Sequence, residues 1–78
     1  MKELVQYLAQ HLVNHPESVE VKETQGDTAS VIELKVAKED LGRIIGKQGR
    51  TAKSIRTILN AAASRTNRKV VLEIIEEQ

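Results

Sequence analysis

The sequence predicts an α+β fold in which three helices cover one face of a three-stranded mixed sheet. Two kinds of apolar spacing alternate along the 78 residues, one typical of amphipathic helices and one typical of half-buried strands. A glycine-containing loop at residues 46–49 separates two of the helical segments. The predicted order is helix, strand, strand, helix, helix, strand, and the length is that of one domain covering residues 1–78.

The first helix is predicted over residues 2–14. Its apolar side chains recur three and four residues apart, as on one face of a helix, and they include Val5, Leu8 and Leu12. Pro16 follows, and the residue before a proline is displaced from helical backbone angles. The helix is therefore expected to end just before this proline.

Alternation of apolar and polar residues predicts strands at residues 18–24, 29–36 and 70–75. Turn residues at 25–28 make the first two strands an antiparallel hairpin. The second strand reaches the third through helices, which predicts a parallel pair with a right-handed crossover. Val71 and Ile75 are expected on the face away from the core, either loosely covered or within an interface.

The remaining two helices flank the glycine loop. The first should begin at Asp40, whose side chain is expected to cap it, and should end at Ile45. The second is the longest, predicted over residues 50–66. Its inward apolar stripe is expected to comprise Ala52, Ile55, Ile58, Leu59 and Ala62. Ile58 should lie near the edge of this stripe, and Ala61 and Ala63 should lie outside it.

The loop between these helices is predicted to bind a polyanion. Gly46 and Gly49 allow a ligand to approach the backbone closely, because neither residue has a Cβ. The following helix directs unpaired N–H groups and a partial positive charge at the same place. Lys47 and Arg50 add full positive charges.

The charge distribution indicates a nucleic-acid partner, although the net charge is only +1. Residues 41–72 contain eight Lys or Arg and no Asp or Glu, whereas the rest of the chain has four lysines and all eleven acids. The absence of cysteine favours a reducing cytoplasm. Neither a signal peptide nor a membrane span is expected, because charges interrupt every apolar segment.

The glycine loop and its flanks resemble the signature of KH domains. That pattern has two aliphatic residues, Gly, two residues, Gly and a later aliphatic residue, here Ile44, Ile45, Gly46, Lys47, Gln48, Gly49 and Ile55. The order of elements resembles the type II KH fold, α-β-β-α-α-β. The length and the sequence around the loop are most similar to small, single-domain RNA-binding proteins of bacteria of the KhpA type.

The resemblance implies a groove that holds about four nucleotides of single-stranded RNA, and single-stranded DNA would also fit. The loop would hold phosphates, while Ile44 and Leu41 would offer apolar surface to bases and Ile45 would lie in the core. The implied role is that of a post-transcriptional regulator or RNA chaperone. The residues expected to contact the nucleic acid are Leu41, Gly42, Arg43, Ile44, Gly46, Lys47, Gln48, Gly49, Arg50 and Lys53.

Other binding and catalytic classes fit the sequence poorly. A nucleotide-binding P-loop needs four residues between its glycines and Lys followed by Ser or Thr, whereas Gly42 and Gly46 are separated by three and Gln48 follows Lys47. No catalytic set converges on the basic segment, so no enzyme activity or cofactor is expected. His11 and His15 are four residues apart but lack a further ligand, so no metal site is expected.

Ring stacking is also excluded as the means of binding bases. Tyr7 is the only aromatic residue, and it lies in the first predicted helix. Affinity from a single copy should therefore be modest.

An interaction module is the main alternative. Ile58 and Ala61 on the long helix are candidates for a dimer interface, because a small residue allows close approach of a second subunit. The opposing interpretation is that alanines are simply good helix formers. The resemblance implies a homodimer, or pairing with a larger KH-containing protein of the Jag type.

Overall fold

Three helices cover one face of a three-stranded sheet in the computed structural model, which describes residues 1–76 apart from the side chain of Thr66. The α+β class and the order of elements are as predicted. No helix in this part of the chain has the length and apolar content needed to cross a membrane. The elements are α1 (Lys2–Leu12), β1 (Glu20–Gln25), β2 (Ala29–Val36), α2 (Leu41–Ile45), α3 (Arg50–Ala63) and β3 (Lys69–Glu76).

The sheet has the order β1-β2-β3, with β2 in the centre. β1 and β2 pair antiparallel, with Glu20 opposite Lys35, and β2 and β3 pair parallel, with Ile32 opposite Leu72. Both predicted pairings are confirmed. The connection from β2 to β3 contains α2 and α3, so the glycine loop lies within this crossover.

The core lies between the helices and the covered face of the sheet. Ile32, Leu34 and Val36 of β2 are fully buried and pack with Val5 of α1 and Leu59 of α3. These contacts remove the apolar stripes of both long helices from water, which is the main stabilising term for a domain of this size. The other face of the sheet is open to solvent.

On that open face, Val71 and Ile75 remain 38% and 36% exposed. The predicted outward direction of these two side chains is correct. Their inward neighbours on β3 are Val70 and Leu72, which are buried, and Ile74, which is half-buried.

Several predicted element ends are displaced by local turns. α1 ends at Leu12, because Val13 adopts an extended backbone. A 3₁₀ turn at Pro16–Ser18 delays β1 until Glu20. α3 ends at Ala63, three residues before the predicted end, and a 3₁₀ turn at Ser64–Thr66 follows it.

The predicted apolar stripe of α3 needs two corrections. Ile58 was expected inward at the edge of the stripe, but it is 45% exposed. Ala63 was expected off the stripe, but it is 2% exposed and belongs to the core. Ala52, Ile55 and Leu59 are buried as predicted.

The predicted capping role of Asp40 is wrong. Asp40 is at the N-cap position of α2, but its side chain makes no capping hydrogen bond there. Its fully buried carboxylate instead accepts hydrogen bonds from the backbone N–H groups of Asn14, at 3.0 Å, and His15, at 2.9 Å. Asp40 therefore joins the segment after α1 to the start of α2.

A second contact connects the same two segments. In the amide orientation that satisfies both groups, Oδ1 of Asn14 accepts hydrogen bonds from Nη2 and Nε of Arg43, at 3.2 and 3.3 Å. The guanidinium of Arg43 is thus directed toward the end of α1.

Candidate nucleic-acid interface

The loop between α2 and α3 has an unusual backbone. Gly46 has φ 77° and ψ 171°, and Gly49 has φ 75° and ψ 11°. Gln48, between them, has φ 58° and ψ 26°, one of two non-glycine residues with positive φ in the described chain. A left-handed conformation at a residue with a Cβ costs roughly 1–2 kcal/mol, so the surrounding structure holds this loop in a set shape.

The two glycines of the loop have different physical requirements. Gly46 lies in a backbone region that is almost restricted to glycine, and a Cβ there would overlap the side chain of Thr51. A Cβ on Gly49 would meet no atom within 4 Å, so only its positive φ disfavours other residues. The N–H of Gly46 donates to the carbonyl of Gly42 at 2.8 Å, and the N–H of Gly49 donates to that of Gly46 at 3.1 Å.

The start of α3 is favourable for an anion. Gly49 is its N-cap, no side chain caps its first turn, and no acidic residue lies in that turn. The side chains of Lys47 and Arg50 are exposed beside it. An anion over the loop would therefore meet backbone N–H groups, the positive end of the helix and two cations.

An apolar groove adjoins the loop. It is a cleft of about 470 Å³ with one wall formed by α2, the loop and α3, and the other by the end of β3. On the β3 side, Nη2 of Arg56 donates to the carbonyl of Leu72 at 3.4 Å, which connects α3 to the strand. The groove is lined by Leu41, Ile45, Gly49, Ala52, Arg56, Ile74 and Glu76.

The predicted positions of Ile44 in the groove and Ile45 in the core are reversed. Ile44 was expected to present apolar surface to bases, but its side chain is fully buried in the core. Ile45 was expected in the core, but it is 38% exposed and lines the groove. The physical reason is the direction of α2, whose single turn points the earlier isoleucine toward the sheet and helices.

The structure brings part of the predicted site together. Leu41 and Gly49 line the groove, and Gly46, Lys47 and Gln48 complete the loop beside it. Lys53 is exposed on α3, one turn after the loop, and Gly42 is exposed on α2.

Five groove residues were not predicted as contacts: Ile45, Ala52, Arg56, Ile74 and Glu76. Arg56 follows Gly49 by seven residues, two helical turns, and this spacing could have placed it on the groove side of α3. Glu76 carried no comparable signal in the sequence.

The chain also matches a known protein family. Residues 2–74 match the model of the family described as "KhpA/KhpB, KH domain". The chain belongs to the KhpA/KhpB KH-domain family. The resemblance found in the sequence is thus confirmed, and the mixed sheet with three helices is consistent with the type II KH fold.

Curated relatives match over their whole length. RNA-binding protein KhpA of Clostridium perfringens is 56% identical over 75 residues, covering 96% of this chain and 100% of the relative. The protein of the same name from Chlamydia muridarum is 55% identical over 78 residues, covering both chains completely. That of Listeria monocytogenes is 49% identical over 76 residues, covering 97% of this chain and 100% of the relative.

Proposed function

We propose that this KH domain binds single-stranded RNA across the glycine loop and the adjoining groove. The observation that carries the proposal is the position of the loop, beside an apolar cleft and at the N-terminus of α3, which no side chain caps. The exposed side chains of Lys47 and Arg50 belong to the same part of the chain. The eight Lys or Arg and the absence of acids in residues 41–72 favour a polyanionic ligand. The names of the relatives, which describe them as RNA-binding, support the same ligand.

In this proposal, different parts of the site contact the phosphate backbone and the bases of the RNA. Phosphates would lie over Gly46–Gly49 and pair with Lys47 and Arg50, while bases would occupy the groove against Leu41, Ile45 and Ile74. No aromatic ring lines this groove, since Tyr7 is on α1. Without stacking on rings, which contributes about 1–3 kcal/mol per base, one copy should bind with modest affinity. Regulation of transcripts after their synthesis, or RNA chaperoning, would suit such binding.

The double substitution Lys47→Asp with Gln48→Asp tests this proposal. It places two carboxylates where phosphates would lie, so the affinity for a short single-stranded RNA should fall at least about tenfold. Fluorescence anisotropy measures the affinity, and circular dichroism confirms that the fold is retained.

For the unsubstituted protein, neutralisation of about three phosphates predicts a slope of roughly −2 for the logarithm of the binding constant against the logarithm of the salt concentration.

The matched control is Lys2→Asp with Gln10→Asp. It changes the net charge by the same amount at two exposed positions of α1, which does not line the groove. Its RNA affinity should stay within about twofold of the original, because only long-range electrostatics change. Equal weakening by both double variants would show that net charge, and not the loop, governs binding.

A second proposed function is pairing with another chain. Ile58 is 45% exposed on α3, and Ala61 is exposed one turn later, so an apolar and a small residue lie together on a solvent-facing part of the helix. We propose these residues as the centre of a homodimer interface, or of an interface with a larger KH-containing protein of the Jag type. Two linked grooves would raise avidity wherever one RNA reaches both.

Ile58→Asp should convert a dimer to a monomer without unfolding the chain. The substitution adds a charge to the centre of the proposed interface, whereas in the monomer the side chain is already exposed. Sedimentation equilibrium at micromolar protein measures the mass. Asn60→Asp is the control, because Asn60 is exposed on the same helix but two residues after Ile58, and so on a different side of it. A monomeric mass for the unsubstituted protein at all concentrations would contradict pairing.

A further inference from the structure

Glu76 is the one carboxylate among the described residues that line the groove. It lies at the end of β3, opposite Val36, on the same side of the strand as Ile74. Its side chain is exposed, and residues 1–76 supply it with no ion pair. The carboxylate of Glu76 therefore faces the groove as a hydrogen-bond acceptor without a partner among the described residues.

An acid in this position is unfavourable for a purely electrostatic site. A carboxylate repels phosphates, and the segment that carries the loop and both groove helices contains no other acid. Glu76, however, belongs to the β3 wall of the groove, and the loop belongs to the opposite wall. A strand held by its phosphates at the loop would direct its base edges toward β3, so Glu76 would meet bases and not phosphates.

The chemistry of a carboxylate separates the bases into two groups. It accepts hydrogen bonds only, and it pairs well with the exocyclic amino groups of cytosine, adenine and guanine. Uracil presents a carbonyl oxygen where cytosine has its amino group, and the single N–H of uracil lies between two carbonyl oxygens that repel a carboxylate. Recognition of single-stranded RNA commonly uses these Watson–Crick edges.

We propose that Glu76 is a specificity-determining residue that favours amino-bearing bases, cytosine, adenine and guanine, over uracil at one position of the groove. This inference rests on the proposed RNA-binding function. It adds to that function a preference that the basic loop cannot provide, because phosphate contacts are independent of sequence.

The test compares six-nucleotide oligocytidine with oligouridine by fluorescence anisotropy at neutral pH and constant salt. Both strands are pyrimidines of the same ring size, and any difference in their stacking is the same for every protein variant. The change in the affinity ratio between variants therefore isolates the base edge. The unsubstituted protein should bind oligocytidine about fivefold more tightly than oligouridine, the effect of one charge-assisted hydrogen bond at an exposed site. Glu76→Gln should bring the ratio close to one, because an amide can also donate to the carbonyl of uracil.

Glu73→Gln is the matched control. Glu73 is an exposed acid on the same strand, but it alternates with Ile74 and lies on the open face of the sheet. Glu73→Gln removes the same charge as Glu76→Gln. The ratio of its affinities for oligocytidine and oligouridine should nevertheless equal that of the unsubstituted protein.

The outcomes separate this inference from the function on which it rests. Saturable binding of both oligonucleotides with equal affinity, or an unchanged ratio in Glu76→Gln, would overturn the specificity role and leave RNA binding intact. Absence of saturable binding to either oligonucleotide by the unsubstituted protein would overturn the proposed function itself, and this inference with it.

Discussion

Replacing Asp40 with alanine should lower the free energy of unfolding by about 3 kcal/mol. The substitution removes a fully buried side chain and leaves the N–H groups of Asn14 and His15 without their acceptor. A buried donor that loses its partner costs about 1–3 kcal/mol, and two are affected here. Urea denaturation followed by circular dichroism measures the change.

Two further substitutions make this prediction specific. Glu39→Ala removes an exposed acid from the same turn and should change stability by less than about 0.5 kcal/mol. Asp40→Asn keeps one acceptor oxygen but places an N–H₂ group against the second donor, so its effect should be intermediate. If Asp40→Ala were as mild as Glu39→Ala, the two hydrogen bonds would not stabilise the fold.

Gly46→Ala should be the most disruptive single substitution in the loop, with a cost of about 3 kcal/mol and a large loss of RNA affinity. Its Cβ would require backbone angles that are almost restricted to glycine and would overlap the side chain of Thr51. The loop or the first turn of α3 must then move. Urea denaturation measures the stability, and anisotropy with a short RNA measures the affinity.

Gly49→Ala is the natural comparison, because it introduces the same Cβ three residues later into open space. Gly49→Ala should lower the free energy of unfolding by only about 1 kcal/mol, the cost of placing a residue with a Cβ in the left-handed conformation. Equal costs for the two alanine variants would mean that neither the contact with Thr51 nor the more restricted backbone region of Gly46 adds to the cost of a positive φ.

The fold was predictable because its elements differ in period. Alternation in Ala29–Val36 and helical spacing in Arg50–Ala63 are both long enough to identify an element from local sequence. The turn at 25–28 and the helical crossover then left one arrangement of the strands, antiparallel followed by parallel.

The details of the site depended on contacts distant in sequence. α2 has only five residues, too few for a period to show which of Ile44 and Ile45 faces the core. The partners of Asp40 are 26 and 25 residues away, at the end of a different helix, so local rules favoured a cap that does not form. Linear position was equally misleading for Glu76, which belongs in sequence to the acidic part of the chain but lies in space at the basic groove.

The crossover between β2 and β3 has a consequence for how the protein acquires its activity. Ala29 pairs with Lys69, forty residues later, and the loop and its two flanking helices lie in the chain between these two strands. A nascent or C-terminally truncated chain that lacks β3 therefore has only one wall of the groove. Closing so large a loop is slow relative to forming the hairpin, so the RNA-binding surface should be completed late in folding. A ligand that bridges both walls would then stabilise the whole cooperative unit, and not the loop alone.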